Sequence, residues 1–260
     1  TINTPSGEMQ VTTTLLVAAD GAESTIRQLC NLQAKRKNYP HEAIVANVEL
    51  FQPHNYCAYE RFTSQGPLAL LPVDKNKMSL VWSLSPGDAK KLMHLSDADF
   101  LKQLQVAFGY KAGKFTRIGQ RHSYPIKQIL AEQQAQWPVL LIGNAAHSLH
   151  PIAGQGFNLG LRDVAVLAQC IAHFGLNSQM LEHYLQLRQQ DQQAITLLTD
   201  GLVNLFTSQL PGLGWLRGLG LMAFDNIPAL KQLLARYAKG FGGIIPDLVC
   251  GIALPSRNKL

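Results

Sequence analysis

The chain has 260 residues, of which 47% are hydrophobic and 15% charged, a composition that supports a substantial core and excludes an intrinsically disordered chain. The net charge of +6 favours anionic partners such as nucleotides or lipid surfaces. Basic residues are dispersed, so we expect no nucleic-acid binding, and the one basic run, Lys35-Arg36-Lys37, is predicted to be a solvated loop. Four widely spaced cysteines and the lack of an apolar run of about 20 residues indicate reduced thiols in a cytoplasmic chain without a membrane span.

The amino-terminal residues predict a hairpin that leads into a buried apolar strand, "LLVAA". Asp20 and Gly21 then form a tight turn before a short helix that carries Ser24 and Arg27 on one face. A hairpin feeding a covered strand is typical of the middle of a domain, and we therefore expect an amino-terminal part of the protein to precede this chain.

The next segment is rich in β-branched and aromatic residues separated by Pro, Asn and Gly. Four strands are predicted within it: "IVANVEL", "YCAYERFT", "PLALLPV" and "KMSLVWSL". One helix, "SDADFLKQLQVAF", follows them, with Ser96 as its N-cap and Asp99 completing a capping-box-like start. "KFTRIGQRHSYPI" then returns to strand.

Strand and helix alternate again after this β-rich segment. A buried strand, "VLLIG", precedes a helix from Gly156 to about Ala172 and a long helix from about Ser178 to Thr207. Two buried strands that lead into glycine-rich turns predict an α/β layer with a β-rich α+β insert packed beside it and helices at the carboxyl end. The expected divisions are 1–40 and 131–208 for the α/β domain, 41–130 for the insert and 209–260 for the tail.

The stretch "LLIGNAAHSLHPIAGQGFNLGLRDV" carries the chemistry. Its glycines at 154 and 156 allow close approach to the backbone, and the donors at the helix start attract negative charge. A phosphate loop is disfavoured, because the third glycine of a dinucleotide turn and the Gly-Lys-Ser/Thr of a P-loop are missing. A metal site is also disfavoured, since His147 and His150 lie in a turn without a Cys or Glu at ligand spacing. Ser148 lacks a nucleophile elbow.

This stretch closely resembles the second flavin-binding motif of the class A aromatic hydroxylases, the group typified by para-hydroxybenzoate hydroxylase. "LLVAADGAESTIR" resembles their Asp-Gly motif, and it lies about 120 residues upstream of the second motif, in the expected order. "YERFTSQGPLALLP" and "SLVWSL" are similar to the ubiquinone-biosynthesis branch, particularly to its polyprenyl-methoxyphenol hydroxylases. The resemblance covers most of the chain and fades after about residue 225.

The resemblance implies FAD as cofactor, with NAD(P)H as its reductant. The strand end would meet the ribitol and phosphate, and the helix start would point its donors at the pyrimidine edge of the isoalloxazine. The implied contacts are Asp20, Gly21, Ser24, Arg27, Gly143, Asn144, Ala145, Pro151, Gly154, Gln155, Gly156, Phe157 and Asn158. Arg27 is expected either to pair with Asp20 or to face cofactor phosphate. The motif of the family it resembles usually has Asp where this chain has Asn144, whose amide accepts with one atom and donates with the other, and the branch it most resembles carries Asn too.

By the same resemblance, a flavin hydroperoxide would transfer oxygen from O₂ to the ring of a polyprenylated phenol. The β-rich insert would form the substrate side, with these candidate lining residues: Tyr59, Arg61, Phe62, Leu70 and Trp82. His147, His150 and Pro151 are the weak candidates for a catalytic role. Alternatives are a related flavin hydroxylase acting at another ring position or on a non-quinone phenol, and a non-catalytic docking module in a quinone-biosynthesis complex.

Two further expectations concern the cofactor and the tail. No Gly-x-Gly-x-x-Gly turn with its acidic partner occurs, so the 260 residues alone are predicted to bind FAD poorly and to be inactive. The apolar segment Leu210 to Phe224 is too short to span a bilayer and suits a membrane interface or a partner groove. Lys231, Arg236 and Lys239 follow at helical spacing and would suit an anionic lipid surface.

Overall fold

The computed structural model describes residues 1–63, 65–208, 213–238 and 245–254. These residues contain twelve strands: β1 Ile2–Thr4, β2 Gly7–Met9, β3 Leu16–Ala18, β4 Ala34–Leu50, β5 Tyr59–Thr63, β6 Gly66–Asp74, β7 Lys77–Leu84, β8 Phe115–Ile118, β9 His122–Ala131, β10 Ala135–Gln136, β11 Val139–Leu141 and β12 His147–Ser148. They also contain seven α-helices: α1 Thr25–Leu29, α2 Pro86–Met93, α3 Asp97–Phe108, α4 Gln155–Phe174, α5 Ser178–Thr207, α6 Leu213–Asn226 and α7 Pro228–Ala238. Short 3₁₀ turns lie at Gly143–Ala145, Ile152–Gly154 and Asp247–Cys250.

The strands form a hairpin and two sheets. β1 and β2 pair as an antiparallel hairpin. A small sheet has the order β10-β11-β3, in which β11 and β3 run parallel. A seven-stranded sheet has the order β12-β9-β4-β7-β6-β5, with β8 also paired to β4.

Apolar side chains on both faces of the small sheet have packing partners. One face packs Leu140 and Ile142 against Val166 of α4 and Tyr184 of α5. The other face packs Ala18, Leu141 and the turn after β11 around Leu32. Apolar side chains on alternate strand positions therefore meet helices on one side and irregular backbone on the other.

The large sheet has a helix-covered face and a second face that turns toward α5. Alternate residues of β4, β6 and β7 pack with Phe100 and Leu104 of α3 in the largest core of the described residues. The opposite face carries Ala43 and Ile126, which pack with Ile152 and Val203. Since Val203 belongs to α5, this helix touches both sheets and joins the two layers.

Most predicted elements are confirmed. The first hairpin, the four strands of the insert, the strand "VLLIG" and the long helix from Ser178 to Thr207 all form. The hydroxyl of Ser96 caps α3 by accepting from the amide of Asp99 at 3.2 Å. "KFTRIGQRHSYPI" forms two strands, β8 and the start of β9, rather than one.

Two local predictions were wrong. β3 was expected to be a covered strand, but Leu16 and Val17 are 38% and 36% exposed, because β3 pairs only with β11 among the described residues. The basic run 35–37 is not a loop but part of β4, where it pairs with β9 and stays exposed through its side chains.

The expected divisions do not coincide with strand ends. The boundary at 40/41 falls inside β4, and the boundary at 130/131 falls inside β9. The division into domains itself stays a prediction. β12 lies beyond residue 131 yet pairs with β9, so the large sheet includes a strand from the second part of the α/β domain.

The carboxyl-terminal tail contains α6 and α7, which leave several apolar side chains exposed, Trp215 among them. Of the predicted interface segment, residues 210–212 lie outside the described residues, as does Lys239 of the predicted basic cluster. Among the residues described, no helix is both long and apolar enough to cross a membrane.

Candidate functional site

The two predicted motifs meet at one edge of the small sheet. β3 and β11 are parallel neighbours with Ala18 opposite Leu141, and the amide of Ile142 donates to the carbonyl of Ala18 at 3.0 Å. Because the carboxyl ends of parallel strands share an edge, the turn at Asp20 and Gly21 lies beside the turn that begins at Gly143. Ligand sites of open α/β sheets form at such edges.

The turn after β11 is built on Gly143, whose φ of +55° is a left-handed conformation that favours glycine. Its amide donates to Oδ2 of Asp163 on α4 at 2.9 Å. A Cβ on Gly160 would lie 3.4 Å from the Cα of Gly143, so α4 packs closely under the turn. Ala145 is buried and Asn144 is exposed, which places the polar amide on the solvent side.

The start of α4 opens toward free space. Gly154 precedes the helix with φ of +59°, and a Cβ on either Gly154 or Gly156 would meet nothing within 4 Å. Gln155 is buried and Asn158 half-buried, whereas Pro151 and Phe157 are exposed, Phe157 by 78%. The first amides of a helix have no intrahelical acceptors, so a 20-residue helix presents its donors and its positive dipole end to an anion here.

The Asp-Gly motif has a structural role in this fold. The carboxylate of Asp20 accepts from the amide of Ile26 at 3.0 Å, and the hydroxyl of Ser24 caps α1 by accepting from the amide of Arg27 at 3.0 Å. Burial alone would raise the pKa of Asp20, but these bonds, including one with Ser24, lower it below its usual value.

Arg27 connects the two motifs and is 2% exposed. Its guanidinium donates to the carbonyl of Ala145 at 2.7 Å and to that of Ala22 at 2.8 Å, and among the described residues it forms no ion pair. Of the two roles expected for Arg27, the ion pair with Asp20 does not form among the described residues, and a contact with cofactor phosphate stays a prediction. Arg27 fixes the Gly143 turn to α1 across 118 residues of sequence.

Behind the turn lies a buried polar network that sequence reasoning missed. Asp163 accepts from His147 Nε2 at 2.6 Å and from Arg188 Nε at 2.8 Å. Arg188 and Arg162 both bond Asp191, at 2.5 and 2.6 Å, so two arginines balance two carboxylates. We call these five residues the Asp163 network.

Asp163 is ionised within that network. Burial opposes its charge, but the bond and charge of His147, the charge of Arg188 and the Gly143 amide lower its pKa to about 2. An ionised carboxylate only accepts hydrogen bonds, and His147 therefore donates to it from Nε2.

A sequence signal for this network did exist. Along α5, Leu181, Tyr184, Arg188, Asp191 and Ile195 recur at spacings of three and four and are all buried. Two opposite charges in an otherwise apolar stripe predict a buried ion pair, although their partners on α4 follow only from the packing.

His150 lies just before the helix start and is 1% exposed. Its Nδ1 accepts from the amide of Ile152 at 3.2 Å, and its Nε2 has no hydrogen-bond partner among the described residues. Burial and, second, the charge of His41 lower the pKa of His150 to about 4. The ring is thus neutral, with its proton on Nε2, and it meets the ring of Tyr39 edge to face at 4.9 Å.

Tyr39 connects this corner to α5. Its hydroxyl donates to Asp200, which also accepts from Lys37 Nζ at 3.0 Å and from Gln128 at 3.1 Å. Burial alone would raise the pKa of Asp200, but these donors lower it. The sequence did not single out these residues, because they lie 161 residues apart and meet only through the sheet.

The predicted substrate residues divide between the two faces of the large sheet. Leu70 and Trp82 are 0% and 2% exposed in the core against α3, and Tyr59 packs on the same core, with its ring edge to face against Phe108. Arg61 donates to the carbonyl of Phe108.

Leu70 and Trp82 therefore do not line a wall toward the glycine-rich turn, because alternate strand positions point to opposite faces. Phe62 alone of the five stacks on α5, against Phe206 with ring centroids 3.8 Å apart.

No cluster of three or more potential metal ligands exists among the described residues. His147 and His150 use their ring nitrogens for different partners: His147 donates to Asp163, and His150 accepts from the amide of Ile152. What the described arrangement offers is a glycine-bounded helix start beside two strand ends, a geometry suited to an extended anionic cofactor.

The comparisons agree with that geometry. The model of the FAD binding domain family matches residues 2–198. Ubiquinone hydroxylase UbiL of Rhodospirillum rubrum is 36% identical over 249 residues, which are 92% of this chain and 58% of that protein. The 3-demethoxyubiquinol 3-hydroxylase of Escherichia coli is 31% identical over 232 residues, covering 87% of this chain and 59% of that protein.

Among solved structures, p-nitrophenol 4-monooxygenase PnpA of Pseudomonas putida superposes with a TM-score of 0.71 at 19% identity, over 94% of this chain and 63% of that one. PqsL of Pseudomonas aeruginosa, described as a probable FAD-dependent monooxygenase, gives a TM-score of 0.64 at 24% identity, over 75% of this chain and 57% of that one. Because both identities are below 25%, these two structures support the assignment of the fold alone.

The chain belongs to the FAD binding domain family, and its fold is that of FAD-dependent monooxygenases. Its relatives at about one-third identity include a ubiquinone hydroxylase and a 3-demethoxyubiquinol 3-hydroxylase, which confirms the resemblance drawn from the two motifs. This chain spans about three fifths of the length of these two relatives.

Proposed function

We propose that this chain holds the flavin ring and ribitol in an FAD-dependent monooxygenase. The whole protein would hydroxylate the ring of a polyprenylated phenol in ubiquinone biosynthesis, with NAD(P)H as reductant and O₂ as oxidant. The observation that supports this most is the open helix start of α4, where a Cβ on Gly154 or Gly156 meets nothing within 4 Å, next to the adjoining strand ends. Hydroxylases of ubiquinone biosynthesis among the relatives support the substrate class.

The residues present fit such a cofactor. The backbone of Gly143 and the exposed amide of Asn144 would face the ribitol and phosphate, and the amides from Gly154 to Asn158 would face the pyrimidine edge. When bound, FAD supplies hydride acceptance and the activation of O₂. The donors and dipole of α4 would stabilise the negative charge of the reduced ring.

Two of the chain's own groups would shape the reacting side. Pro151 is exposed beside the helix start and would line the ring face. His150, buried just before it, holds its proton on Nε2 and stays neutral above about pH 4, so it would serve as a fixed neutral donor. Phe62 is the remaining candidate of the sheet for the substrate side, because its ring turns toward α5.

The test introduces a larger side chain at the start of α4. In the longest natural polypeptide that contains this chain, Gly156→Val should weaken FAD binding at least tenfold in an equilibrium titration. Gly201→Val is the matched control, because Gly201 is also helical and a Cβ there also meets nothing within 4 Å. Equal FAD affinity in the two variants would contradict the proposed cofactor site.

The activity is tested separately with isotopic oxygen. The flavin-loaded protein, supplied with NAD(P)H and a prenylated phenol, should transfer one atom of labelled O₂ to the ring, detected by mass spectrometry. Reductant consumption without labelled phenol would overturn the proposed hydroxylation while leaving the cofactor site intact.

We further propose that α6 contacts a membrane interface. Trp215 and Met222 are 71% and 64% exposed, and such side chains insert readily at the boundary between headgroups and acyl chains. Co-sedimentation with anionic vesicles should fall in the double variant Trp215→Ser, Met222→Ser. It should not fall in Val106→Ser, which changes an apolar side chain on α3 that is 81% exposed. Equal sedimentation of all three proteins would refute this contact.

A further inference from the structure

Three chain segments lie together at the end of the large sheet where β4 ends. We call the following segments the sheet tip: residues 51–57, 73–77 and 110–114. Backbone hydrogen bonds join them, because the amide of Leu50 donates to the carbonyl of Asn76 at 2.8 Å. The amide of Phe51 donates to the carbonyl of Lys114 at 2.9 Å. Segments that are distant in sequence therefore form one surface.

The sheet tip lies at the far end of β4 from the flavin turn. β4 has 17 residues and begins at Ala34, which pairs with Ala131 of β9. The amide of Ala131 donates to the carbonyl of Ala146, directly after the Gly143 turn, at 2.8 Å. At about 3.3 Å per residue, β4 separates the tip from that turn by up to about 50 Å. The tip is therefore a surface separate from the flavin site.

Four large apolar side chains project from the sheet tip. Phe51 is 71% exposed, Tyr56 90%, Val73 60% and Tyr110 74%. Each of the three segments supplies at least one of them. Single exposed apolar residues are common on protein surfaces, but four of them on segments held together by hydrogen bonds form a patch of the kind that marks an interaction site.

The turn that carries Tyr56 is held in a costly conformation. Asn55 and Tyr56 have φ of +49° and +57°, in the left-handed region that bulky side chains rarely adopt. The amide of Cys57 donates to the carbonyl of His54 at 2.9 Å, and the amide of Tyr56 donates to His54 Nδ1 at 3.0 Å. His54 Nε2 bonds the carbonyl of Asp74 in the next segment. A fixed backbone thus displays the side chain of Tyr56 to solvent.

The sheet tip is also strongly basic. Its charged side chains are Asp74 and four lysines: Lys75, Lys77, Lys111 and Lys114. With histidine counted as neutral, four lysines and one aspartate give a net charge of +3, half of the +6 of the whole chain. All four lysines are exposed, and none forms an ion pair with a residue that the structure describes. The tip therefore presents unneutralised positive charge.

Unpaired lysines around exposed aromatic rings fit an anionic lipid surface. A lysine near such a surface strengthens binding about fivefold, and aromatic side chains settle at the level of the headgroups. A protein partner fits less well, because the residues that dominate protein interfaces lie in packed pockets. Side chains that are 60–90% exposed have too few neighbours to line such pockets.

We propose that the sheet tip is a membrane-docking surface. It inserts Phe51, Tyr56 and Tyr110 among the headgroups of an anionic bilayer, while its lysines contact the acidic lipids. Because the turn at Tyr56 is already fixed, little conformational freedom is lost on binding. This contact depends neither on the hydroxylase function nor on the contact proposed for α6.

The test measures binding to vesicles of equal parts phosphatidylserine and phosphatidylcholine, in the longest natural polypeptide that contains this chain. Every protein carries Trp215→Ser and Met222→Ser, which remove the contact proposed for α6. This background should still bind the vesicles, and binding should fall at least tenfold between about 0.1 M and about 1 M salt, because the Debye length shortens from about 10 to about 3 Å. Absence of binding, or equal binding to phosphatidylcholine alone, overturns the proposal.

Charge variants in the same background assign the binding to the tip. Lys111→Gln combined with Lys114→Gln should weaken vesicle binding at least fivefold. The control combines Lys91→Gln with Lys102→Gln, two exposed lysines on α2 and α3 that each pair with an aspartate. It lowers the net charge by the same amount and should change binding less than twofold. Equal losses in the two pairs would mean that overall charge and not the tip governs binding.

Apolar variants test the insertion itself. Phe51→Ser combined with Tyr110→Ser should weaken vesicle binding at least fivefold without changing its salt dependence. The control combines Leu29→Ser with Leu197→Ser, both at positions 73% exposed and on α1 and α5. It should bind the vesicles like the background protein. Unchanged binding in the first pair contradicts insertion of the tip.

Discussion

At the scale of single residues, the site depends on polar groups held away from water. Asp163 and His150 are both buried within the motif that carries the glycines, and each has its protonation fixed by its surroundings. Asp163 keeps its charge because donors surround it, whereas His150 stays neutral because burial penalises the charged ring. The two groups therefore predict a loss of folding stability in two different pH ranges.

We predict that Asp163→Asn lowers the free energy of unfolding by about 3–5 kcal/mol at pH 7, because the buried arginines Arg162 and Arg188 are left with Asp191 as their one remaining carboxylate in this network. The pKa of Asp163 falls from 3.8 in the unfolded chain to about 2 in the folded one, so its ionisation contributes about 2 kcal/mol above pH 4. That contribution is lost as the pH falls from 4 toward 2. In urea unfolding, the difference in unfolding free energy between the parent chain and the variant should decrease only below pH 4. A difference that already decreases between pH 7 and 5 would contradict this.

His150 also makes stability fall as the pH is lowered, but in a higher pH range. Its folded pKa of about 4 lies below the unfolded value of 6.5, so the unfolded chain binds the proton first as the pH falls. The free energy of unfolding should therefore fall by about 3 kcal/mol as the pH is lowered from 6.5 to 4. His150→Gln should remove most of that drop, measured by urea unfolding at pH 7, 5.5 and 4.5, whereas His94→Gln, at an exposed position, should leave the pH profile unchanged.

At the scale of elements, short segments are fixed by side chains from distant parts of the chain. α1 has only five residues, too few to be stable alone, and its cap at Ser24 and the bonds of Arg27 hold it against the Gly143 turn. The small sheet supplies the frame, because its parallel pair brings both turns to one edge.

Arg27→Met should therefore destabilise the protein by about 2–4 kcal/mol, since the carbonyls of Ala145 and Ala22 lose their donor. Arg36→Met is the matched control, because Arg36 forms a pair with Glu23 in which both side chains are about half exposed, and such pairs contribute less than about 1 kcal/mol. Amide hydrogen exchange should accelerate in the 143–146 turn of the first variant only. Similar exchange in both would show that Arg27 does not hold the turn.

At the scale of the whole molecule, α5 joins the two layers. Its first half packs on α4 through Tyr184 and Arg188, and its second half meets the large sheet through Asp200 and Phe206. The backbone also connects the two layers, because β12 follows the flavin turn in the chain and pairs with β9 of the large sheet.

Phe62→Ala should loosen this junction, because the ring stacked on Phe206 is lost. We expect a loss of about 1–2 kcal/mol in unfolding free energy and faster hydrogen exchange in the last two turns of α5. Phe51→Ala, at a position 71% exposed, should change stability by less than about 0.5 kcal/mol. If the two variants behave alike, the stack does not join α5 to the sheet.

The sequence by itself determined the glycine-rich turn, the strand that precedes it and the helices after it. These depend on local rules, since left-handed turns need Gly143 and Gly154 and apolar periodicity marks buried strands and helices. The two-motif spacing was sufficient to indicate the family, and the charged pair Arg188 and Asp191 was visible as an anomaly in an apolar stripe.

Only the tertiary structure decided which side chains face the turn. Leu70 and Trp82 lie in the core against α3 and not on the side of the turn. Side chains alternate between the two faces of a strand, and the sequence does not show which face packs against which layer. Arg27 proved to hold carbonyls, and Asp163 proved to bond both the Gly143 turn and Arg188 of α5, because each contact joins residues brought together by packing. Such long-range pairings leave no local periodicity to read.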